Sequence, residues 1–105
     1  MMRKKRYEML LPLRFNNGRP VDPDLFEQTR HEIIAQFGAM TIQPSAVQGV
    51  WVHEGSSYED ELLRYVVDVE DTPENHQFFV TFKAMLLERF QQIEIYIVSY
   101  PVEIL

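Results

Sequence analysis

The stretch TPENHQFFVTFKAMLLERF, residues 72–90, decides the fold of this chain of 105 residues. It opens with three helix-start signals: a threonine hydroxyl that can cap, a proline that suits the first turn, and a glutamate at the positive end of the helix dipole. Apolar residues then recur at helical spacing, at Phe79, Phe82, Leu86 and Phe90. The stretch therefore predicts an amphipathic helix whose aromatic stripe is buried.

An earlier stretch, residues 22–38, follows the same plan. Asp22 and Pro23 repeat the start signal, and Gly38 supplies a left-handed stop. Its apolar stripe has the same spacing and comprises Phe26, Thr29, Ile33 and Phe37. The two stripes are related by a constant offset of 53 positions, as from Phe26 to Phe79. This offset predicts a pseudo-repeat in which each half contains one helix.

Segments that alternate apolar and polar residues flank both helices and predict strands. They are residues 7–15, 40–53, 62–69 and 93–99. Pro44 interrupts the second segment, so we expect a broken or bulged edge strand there. Residues 54–57 are expected to form the loop that follows it. Pro12 lacks the N–H that a ladder requires, so we also expect a bulge in the first strand.

Two strand–helix–strand halves predict an α+β, ferredoxin-like fold of order β-α-β-β-α-β. Right-handed crossovers place both helices on one face of a four-stranded antiparallel sheet, with the first and third strands in the middle. The length fits one domain, which we assign to residues 7–105. A basic arm, residues 1–6, is expected to precede it and to be disordered.

Composition limits the possible partners. The net charge is −6 although Arg3, Lys4, Lys5 and Arg6 contribute four positive charges, so the rest of the chain is strongly acidic and no nucleic-acid partner is expected. Cysteine is absent, which excludes disulfides and thiolate metal sites and fits a reducing, cytoplasmic compartment. No apolar segment has the length of a membrane span, so no membrane partner is expected.

The sheet face opposite the helices, here called the open face, is too apolar to be freely solvated. Strand alternation assigns to it Leu10, Arg14, Leu62, Arg64, Val66, Asp68, Tyr96, Val98 and Tyr100. Such a patch marks a partner surface or a ligand groove. We favour a homodimer formed through this face, since uncovered four-stranded sheets commonly pair.

Five residues are candidates for ligand binding. Arg14, Arg64 and Asp68 either form a structural ion network or provide arginines that grip a carboxylate or phosphate. Trp51 and His53 share one side of the second strand and either wall a pocket or belong to an ordinary surface. We expect Arg14, Trp51 and His53 to converge at one end of the open face, as a site for a small anionic or aromatic ligand requires.

The run Glu59-Asp60-Glu61, together with His53, has the residue types of a metal site or an acid–base pair. An acidic run at the start of a strand is, however, typical of a solvated segment, and the histidines lack ligand spacing. The sequence contains no glycine-rich phosphate loop and no nucleophile elbow. We therefore expect no metal and no cofactor, and we assign no catalytic residue.

Several motifs resemble those of small, uncharacterised bacterial proteins with a ferredoxin-like fold. They are residues 7–15, FGAMT at 37–41, GVW at 49–51, the acidic pair at 59–60 and RFQQ at 89–92. The resemblance implies the fold and carries no transferable chemistry. The function that we predict is a non-enzymatic dimeric interaction or small-molecule-binding module. The alternative is a small enzyme of the dimeric α+β barrel type, with a cleft near Trp51, His53 and Arg14.

Overall fold

The structure, a computed structural model, describes residues 3–105 apart from the side chains of residues 44–47. Its elements are β1 (Lys4–Pro12), α1 (Pro23–Phe37), β2 (Thr41–His53), β3 (Ser56–Glu70), α2 (Pro73–Arg89) and β4 (Ile97–Val102). All strand pairs are antiparallel, and the order across the sheet is β2-β3-β1-β4. The predicted α+β, ferredoxin-like fold is confirmed, with β1 and β3 in the middle.

The two proline predictions have opposite outcomes. The register of β2 against β3 shifts between Gln43 and Val47, which confirms an irregular edge strand around Pro44. Pro12, by contrast, causes no bulge, because the pairing of β1 with β3 is regular throughout. The N–H groups of Leu10 and Leu13 donate to Tyr96 and Glu61 respectively, so alternation places the nitrogen of Pro12 on the β4 side, where the pairing with β4 ends at Met9 and no ladder needs its N–H.

The N-terminal basic residues belong to the sheet. The strand β1 begins at Lys4, so the prediction that residues 1–6 form a disordered arm is wrong for Lys4, Lys5 and Arg6, while residues 1 and 2 lie outside the described residues. Arg6 lies opposite Asp68 of β3, and Lys4 lies opposite Glu70. Opposite charges on paired strands stabilise the pairing, which explains why this basic segment continues the strand.

The helices begin and end where the sequence predicts. The carboxylate of Asp22 accepts a hydrogen bond from the backbone N–H of Asp24 at 2.9 Å, and the hydroxyl of Thr72 accepts one from Asn75 at 3.1 Å. Gly38 ends α1 with a φ of 83°, a left-handed conformation that glycine adopts without steric cost. Within the described residues, no helix is both long and apolar enough to cross a membrane.

The core lies between the helices and one face of the sheet. Its buried residues include Tyr7, Met9 and Leu11 of β1, Tyr65, Val67 and Val69 of β3, and the whole stripe of α2. The rings of Tyr7 and Phe79 stack with centroids 3.9 Å apart, which joins β1 to α2. In α1, Thr29 and Ile33 are fully buried and Phe26 and Phe37 pack against the core, so both predicted stripes are confirmed.

A charged contact joins the two helices. Nη1 of Arg89 donates a hydrogen bond to Oγ1 of the buried Thr29 at 2.9 Å. Nη2 of Arg89 lies 2.6 Å from Oε1 of Glu32, an ion-pair distance at which the two groups are not aligned for a hydrogen bond. Arg89 therefore ties α2 to α1 from inside the helix layer.

The last strand begins later than the alternation of apolar and polar residues predicts. We expected a strand over residues 93–99, whereas β4 comprises Ile97–Val102. Gln91 has a φ of 52°, and the segment after it crosses to the far edge of the sheet before pairing begins. Ile95 is buried there, and the carbonyl of Tyr96 accepts a hydrogen bond from the N–H of Leu10. The offset of 53 that relates the two helical stripes therefore does not extend to the strands, since β2 begins at Thr41 and β4 begins at Ile97.

Candidate functional site

A two-stranded arm extends from the sheet. The central strand β1 pairs with β3 from Leu62 onward, with one further hydrogen bond from the N–H of Leu13 to the carbonyl of Glu61, whereas β2 and β3 remain paired as far as His53 and Ser56. Residues 48–61, here called the hairpin arm, therefore continue beyond the four-stranded region. Glu54 and Gly55 form its tip with φ values of 50° and 79°, the positive pair that a type I′ hairpin turn requires.

The two-residue turn sets which side chains meet across the arm. It places Trp51 opposite Tyr58, and their rings stack with centroids 4.6 Å apart and planes 20° apart. Nε1 of Trp51 donates a hydrogen bond to Oδ2 of Asp60 at 2.7 Å. The ring of His53 lies 6.0 Å from that of Trp51. The indole is therefore held in a defined position by two residues of the facing strand.

These side chains lie on the open face. Tyr65 and Val67 of β3 are buried beneath the helices, so the alternate positions, including Tyr58 and Asp60, face the other side. Trp51 shares that side because paired residues in an antiparallel sheet project to the same face. The prediction that Trp51 and His53 lie on a common side is therefore confirmed.

A cavity of about 240 Å³, here called the Trp51 cavity, lies where the hairpin arm meets the end of β1 and the segment before β4. Its volume is just below the roughly 300 Å³ at which ordinary small-molecule sites begin. Its main lining residues are the apolar Leu10, Pro12, Leu62 and Ile95, the aromatic Trp51 and Tyr96, and the acidic Asp60 and Glu94. An apolar floor is thus combined with aromatic and acidic walls.

Gly49 contributes to this cavity by lacking a side chain. A Cβ at this position would approach Cδ1 of Leu62 to 2.9 Å, closer than real Cβ contacts allow. The glycine therefore leaves room for the Leu62 side chain to lie beside β2. Any larger residue at position 49 would displace Leu62 and change the shape of the cavity.

The charge around the Trp51 cavity is negative. The hairpin arm carries the carboxylates of Glu54, Glu59, Asp60 and Glu61 and contains no lysine or arginine. The hydrogen-bond partner of Asp60 is the uncharged indole of Trp51, which leaves the carboxylate charge uncompensated by that contact.

Glu94 is the second acid of the cavity and has a cationic neighbour. Its Oε1 lies 2.7 Å from Nζ of Lys83 and accepts a hydrogen bond from the backbone N–H of Ile95. The hydrogen bond from Lys83, with help from that of Ile95, lowers the pKa of Glu94 below its usual value. Glu94 is therefore ionised at neutral pH, and Lys83 offsets part of its charge.

Arg14 lies beyond the end of β1. The strand β1 ends at Pro12, and the chain turns back so that Arg14 forms a β-bridge with Pro20. Nη1 of Arg14 donates a hydrogen bond to the carbonyl of Gly18 at 3.1 Å. Arg14 does line a neighbouring cavity that Tyr58 and Asp60 also line, but it is absent from the lining of the Trp51 cavity. His53 is also absent from that lining, so the expected convergence of Arg14, Trp51 and His53 in one pocket is wrong.

The predicted ion network has a different composition. Asp68 pairs with Arg6, whose Nε and Nη2 donate to its two carboxylate oxygens at 2.7 and 3.0 Å. Arg64 instead donates from Nη1 to the side chain of Gln43 at 3.1 Å. Because the prediction placed Arg6 in a disordered arm, it assigned Asp68 to Arg14 and Arg64, and that assignment is wrong. Asp68 has a structural partner.

The acidic run does not form a cluster. The strand β3 begins at Ser56, so Glu59, Asp60 and Glu61 lie within a strand rather than at its start, and alternation separates Asp60 from its two neighbours. Among the residues described, no group of three histidine or acidic side chains is arranged to hold a metal ion.

Sequence reasoning missed the contribution of Tyr58 and Asp60 to this site. We expected residues 54–57 to form a loop, which left the register of the facing strand open. The signal was Gly55, because a two-residue turn at Glu54-Gly55 pairs Trp51 with Tyr58 by counting alone. The role of Glu94 had no such signal, since it depends on the late start of β4.

Several solved structures are similar to this chain. CutA1 from Oryza sativa has a TM-score of 0.65 and 9% identity, over 97% of this chain and 82% of that one. The divalent cation tolerance protein CutA1 from Thermus thermophilus has a TM-score of 0.64 and 13% identity, over 96% and 85%. The GlnK–ATP complex of B. subtilis has a TM-score of 0.58 and 16% identity, over 95% and 82%.

No family model matches this chain, and no curated protein matches it in sequence. At the identities of the structural matches, the similarity concerns the backbone arrangement and not the side chains of the Trp51 cavity. The chain therefore shares the ferredoxin-like α+β fold of the CutA1 and GlnK proteins.

Proposed function

We propose that this chain is a non-enzymatic module that binds a small organic molecule in the Trp51 cavity. The observation that carries the proposal is the combination of an apolar floor with an indole fixed by Tyr58 and Asp60. A recognition site requires apolar surface for affinity and a few polar groups held in place for specificity. The alternative of an enzyme with Arg14 in its cleft has less support, because Arg14 does not line this cavity.

The test uses the indole N–H of Trp51, the only tryptophan in the chain, as a reporter. A library of small soluble fragments is titrated against ¹⁵N-labelled protein, and the single indole resonance is followed. We expect a subset of fragments to shift this resonance saturably at millimolar concentrations or below.

Two variants locate the binding. Gly49→Val forces Leu62 to move, so the same fragments should lose most of their effect. Val52→Thr is the matched control, because Val52 is 70% exposed on the opposite side of β2 and should leave binding unchanged. The proposal fails if no fragment shifts the indole signal saturably, or if Gly49→Val binds as wild type does.

Self-association is a second candidate function, supported by the apolar part of the open face. Leu10, Leu62, Val66 and Val98 are half-buried there, and Tyr96 is 61% exposed. A second copy of this chain would bury this surface, and because Leu10, Leu62 and Tyr96 also line the Trp51 cavity, ligand binding and self-association would then share residues. We also propose a cytoplasmic location, for which the absence of cysteine is the supporting observation.

A further inference from the structure

We propose that the ligand of the Trp51 cavity is a small organic cation, an ammonium group that carries an apolar body. The inference rests on the proposed function, since it names the ligand class for the same cavity. Three properties of the lining carry it: the aromatic rings, the carboxylates and the scarcity of metal-type oxygen ligands.

The aromatic rings favour a cation. Trp51 and Tyr96 both line the cavity, and the face of an indole or phenol ring attracts a cationic group through its quadrupole. Tryptophan is the strongest of the aromatic residues in this respect. The contacts of Trp51 with Tyr58 and Asp60 hold the indole in place before a ligand arrives, which reduces the ordering that binding requires.

The carboxylates of the lining also favour a positively charged ligand. Asp60 and Glu94 lie on the lining, and an anionic ligand would be repelled by both. Among the nearby cations, Lys83 pairs with Glu94, while Arg14 and Arg64 donate hydrogen bonds to the carbonyl of Gly18 and the side chain of Gln43 and do not line the cavity. The hairpin arm itself contributes no positive side chain apart from a histidine. Charge complementarity therefore favours a cation over the anionic ligand that the sequence suggested.

The apolar floor favours an organic cation over a metal ion. Calcium takes six to eight oxygen ligands and magnesium requires near-octahedral oxygen coordination, whereas Leu10, Pro12, Leu62 and Ile95 offer none from their side chains. Methyl or methylene groups around a nitrogen would instead contact this floor directly. The volume of about 240 Å³ suits a compact ligand of that kind.

The test compares two probes that differ in charge and hardly in shape, choline and 3,3-dimethylbutan-1-ol, in which a carbon replaces the quaternary nitrogen. Dissociation constants are measured from the Trp51 indole resonance at low ionic strength. We expect choline to bind at least tenfold more tightly than the alcohol. Added salt should weaken the binding of choline and leave that of the alcohol nearly unchanged.

Variants that remove a single negative charge identify which acidic residues contribute to choline binding. Asp60→Asn retains an oxygen that can accept the indole hydrogen bond, and we expect it to weaken choline binding about fivefold or more while the alcohol is unaffected. Glu94→Gln should have a smaller effect, because Lys83 already offsets this charge. Glu59→Gln is the matched control, since it removes the same charge from the neighbouring position on the opposite side of β3.

The outcomes separate this inference from the proposed function. Equal affinity for choline and the alcohol, or an effect of Glu59→Gln as large as that of Asp60→Asn, overturns the cationic ligand class. Saturable binding of neutral or anionic fragments in preference to choline also overturns it and leaves the proposed function standing. If no fragment of any charge shifts the Trp51 indole, both proposals fail together.

Discussion

Phe82 is the residue whose contribution to stability is easiest to predict. Its side chain is 3% exposed on the core-facing side of α2 and packs beside the ring of Phe78. We expect Phe82→Ala to lower the free energy of unfolding by about 3–5 kcal/mol, because truncation of a buried aromatic residue loses burial and leaves a cavity. Urea denaturation measures this loss. A midpoint equal to that of wild type would contradict the burial of this stripe.

Asp68 gives the molecule one pH-dependent contribution to stability. The hydrogen bonds from Arg6 hold the pKa of the Asp68 carboxyl below its usual value. Such a group stabilises the fold above its unfolded pKa, about 3.9, and the contribution is lost as the pH falls through the lower folded pKa. We expect Asp68→Asn to cost at most about 1 kcal/mol at pH 7, since the pair is partly solvent-exposed.

The measurement for Asp68 is the difference in unfolding free energy between wild type and variant at several pH values. This difference should shrink as the pH falls from about 4 to about 2, where both proteins carry a neutral group at position 68. Glu103→Gln, in the exposed C-terminal segment, removes the same charge and should show no comparable change. If the difference in unfolding free energy grew as the pH fell, the interaction of Arg6 with Asp68 would not be the source of this pH dependence.

Side chains that follow a period could be predicted from the sequence, and those that depend on a strand boundary could not. Phe79 and Leu86 repeat at helical spacing, so burial follows from the pattern alone. The prediction for Arg14 assigned it to the open face because it extended β1 three residues too far. The prediction for Arg6 assigned it to a disordered arm because it began β1 three residues too late. Alternation determines the two faces of a strand but not the residue at which it ends.

At the level of elements, the contact between α1 and α2 can be tested through the ion pair of Arg89 and Glu32. Arg89 is 11% exposed and Glu32 30% exposed, so their interaction is less screened than that of a surface pair. We expect a double-mutant cycle with Arg89→Met and Glu32→Gln to give a coupling energy of about 1 kcal/mol or more, measured by urea denaturation.

A second cycle within α1 serves as the control for this pair. Arg30 and Glu27 are 3.5 Å apart on the exposed side of the helix, and their coupling should stay below about 0.5 kcal/mol. Equal coupling in the two cycles would show that the partly buried pair does not join the helices more strongly than an ordinary surface contact.

Elements were predicted best where a chemical signal marks both ends. The helix α1 has Asp22 and Gly38, and its predicted and observed bounds agree. The strand β3 carries no such signal at its start, and Ser56 to Glu61 belong to it only because the turn at Gly55 pairs them with β2. The hairpin arm was missed because its stability derives from that pairing and not from local propensity.

For the whole molecule, we predict a homodimer formed through the open face. Removing Val66, Val98 and their apolar neighbours from water contributes about 25 cal/mol per Å² buried. Light scattering at micromolar concentration should give twice the mass of the 12.5 kDa chain. A monomer mass under these conditions would rule the dimer out.

Two lysine substitutions test which face associates. Val66→Lys places a cation on the open face opposite Glu8, where the folded chain can tolerate it, and should yield a monomer. Val80→Lys is the control, because Val80 is 51% exposed on α2, away from the open face. If Val80→Lys and not Val66→Lys dissociates the dimer, the interface lies on the helices and the prediction is wrong.

The hairpin arm has a consequence for motion. Its backbone amides are held by a single partner strand, whereas those of β3 beyond Leu62 lie between two strands. The arm can therefore open locally while the sheet stays folded, and its amides should exchange with deuterium faster than those of Tyr65 or Val67. A molecule in the Trp51 cavity would touch both the arm and Leu10 of the sheet. A bound molecule would therefore stabilise the arm against local opening. Binding should be detectable as slower hydrogen–deuterium exchange of the amides of the arm.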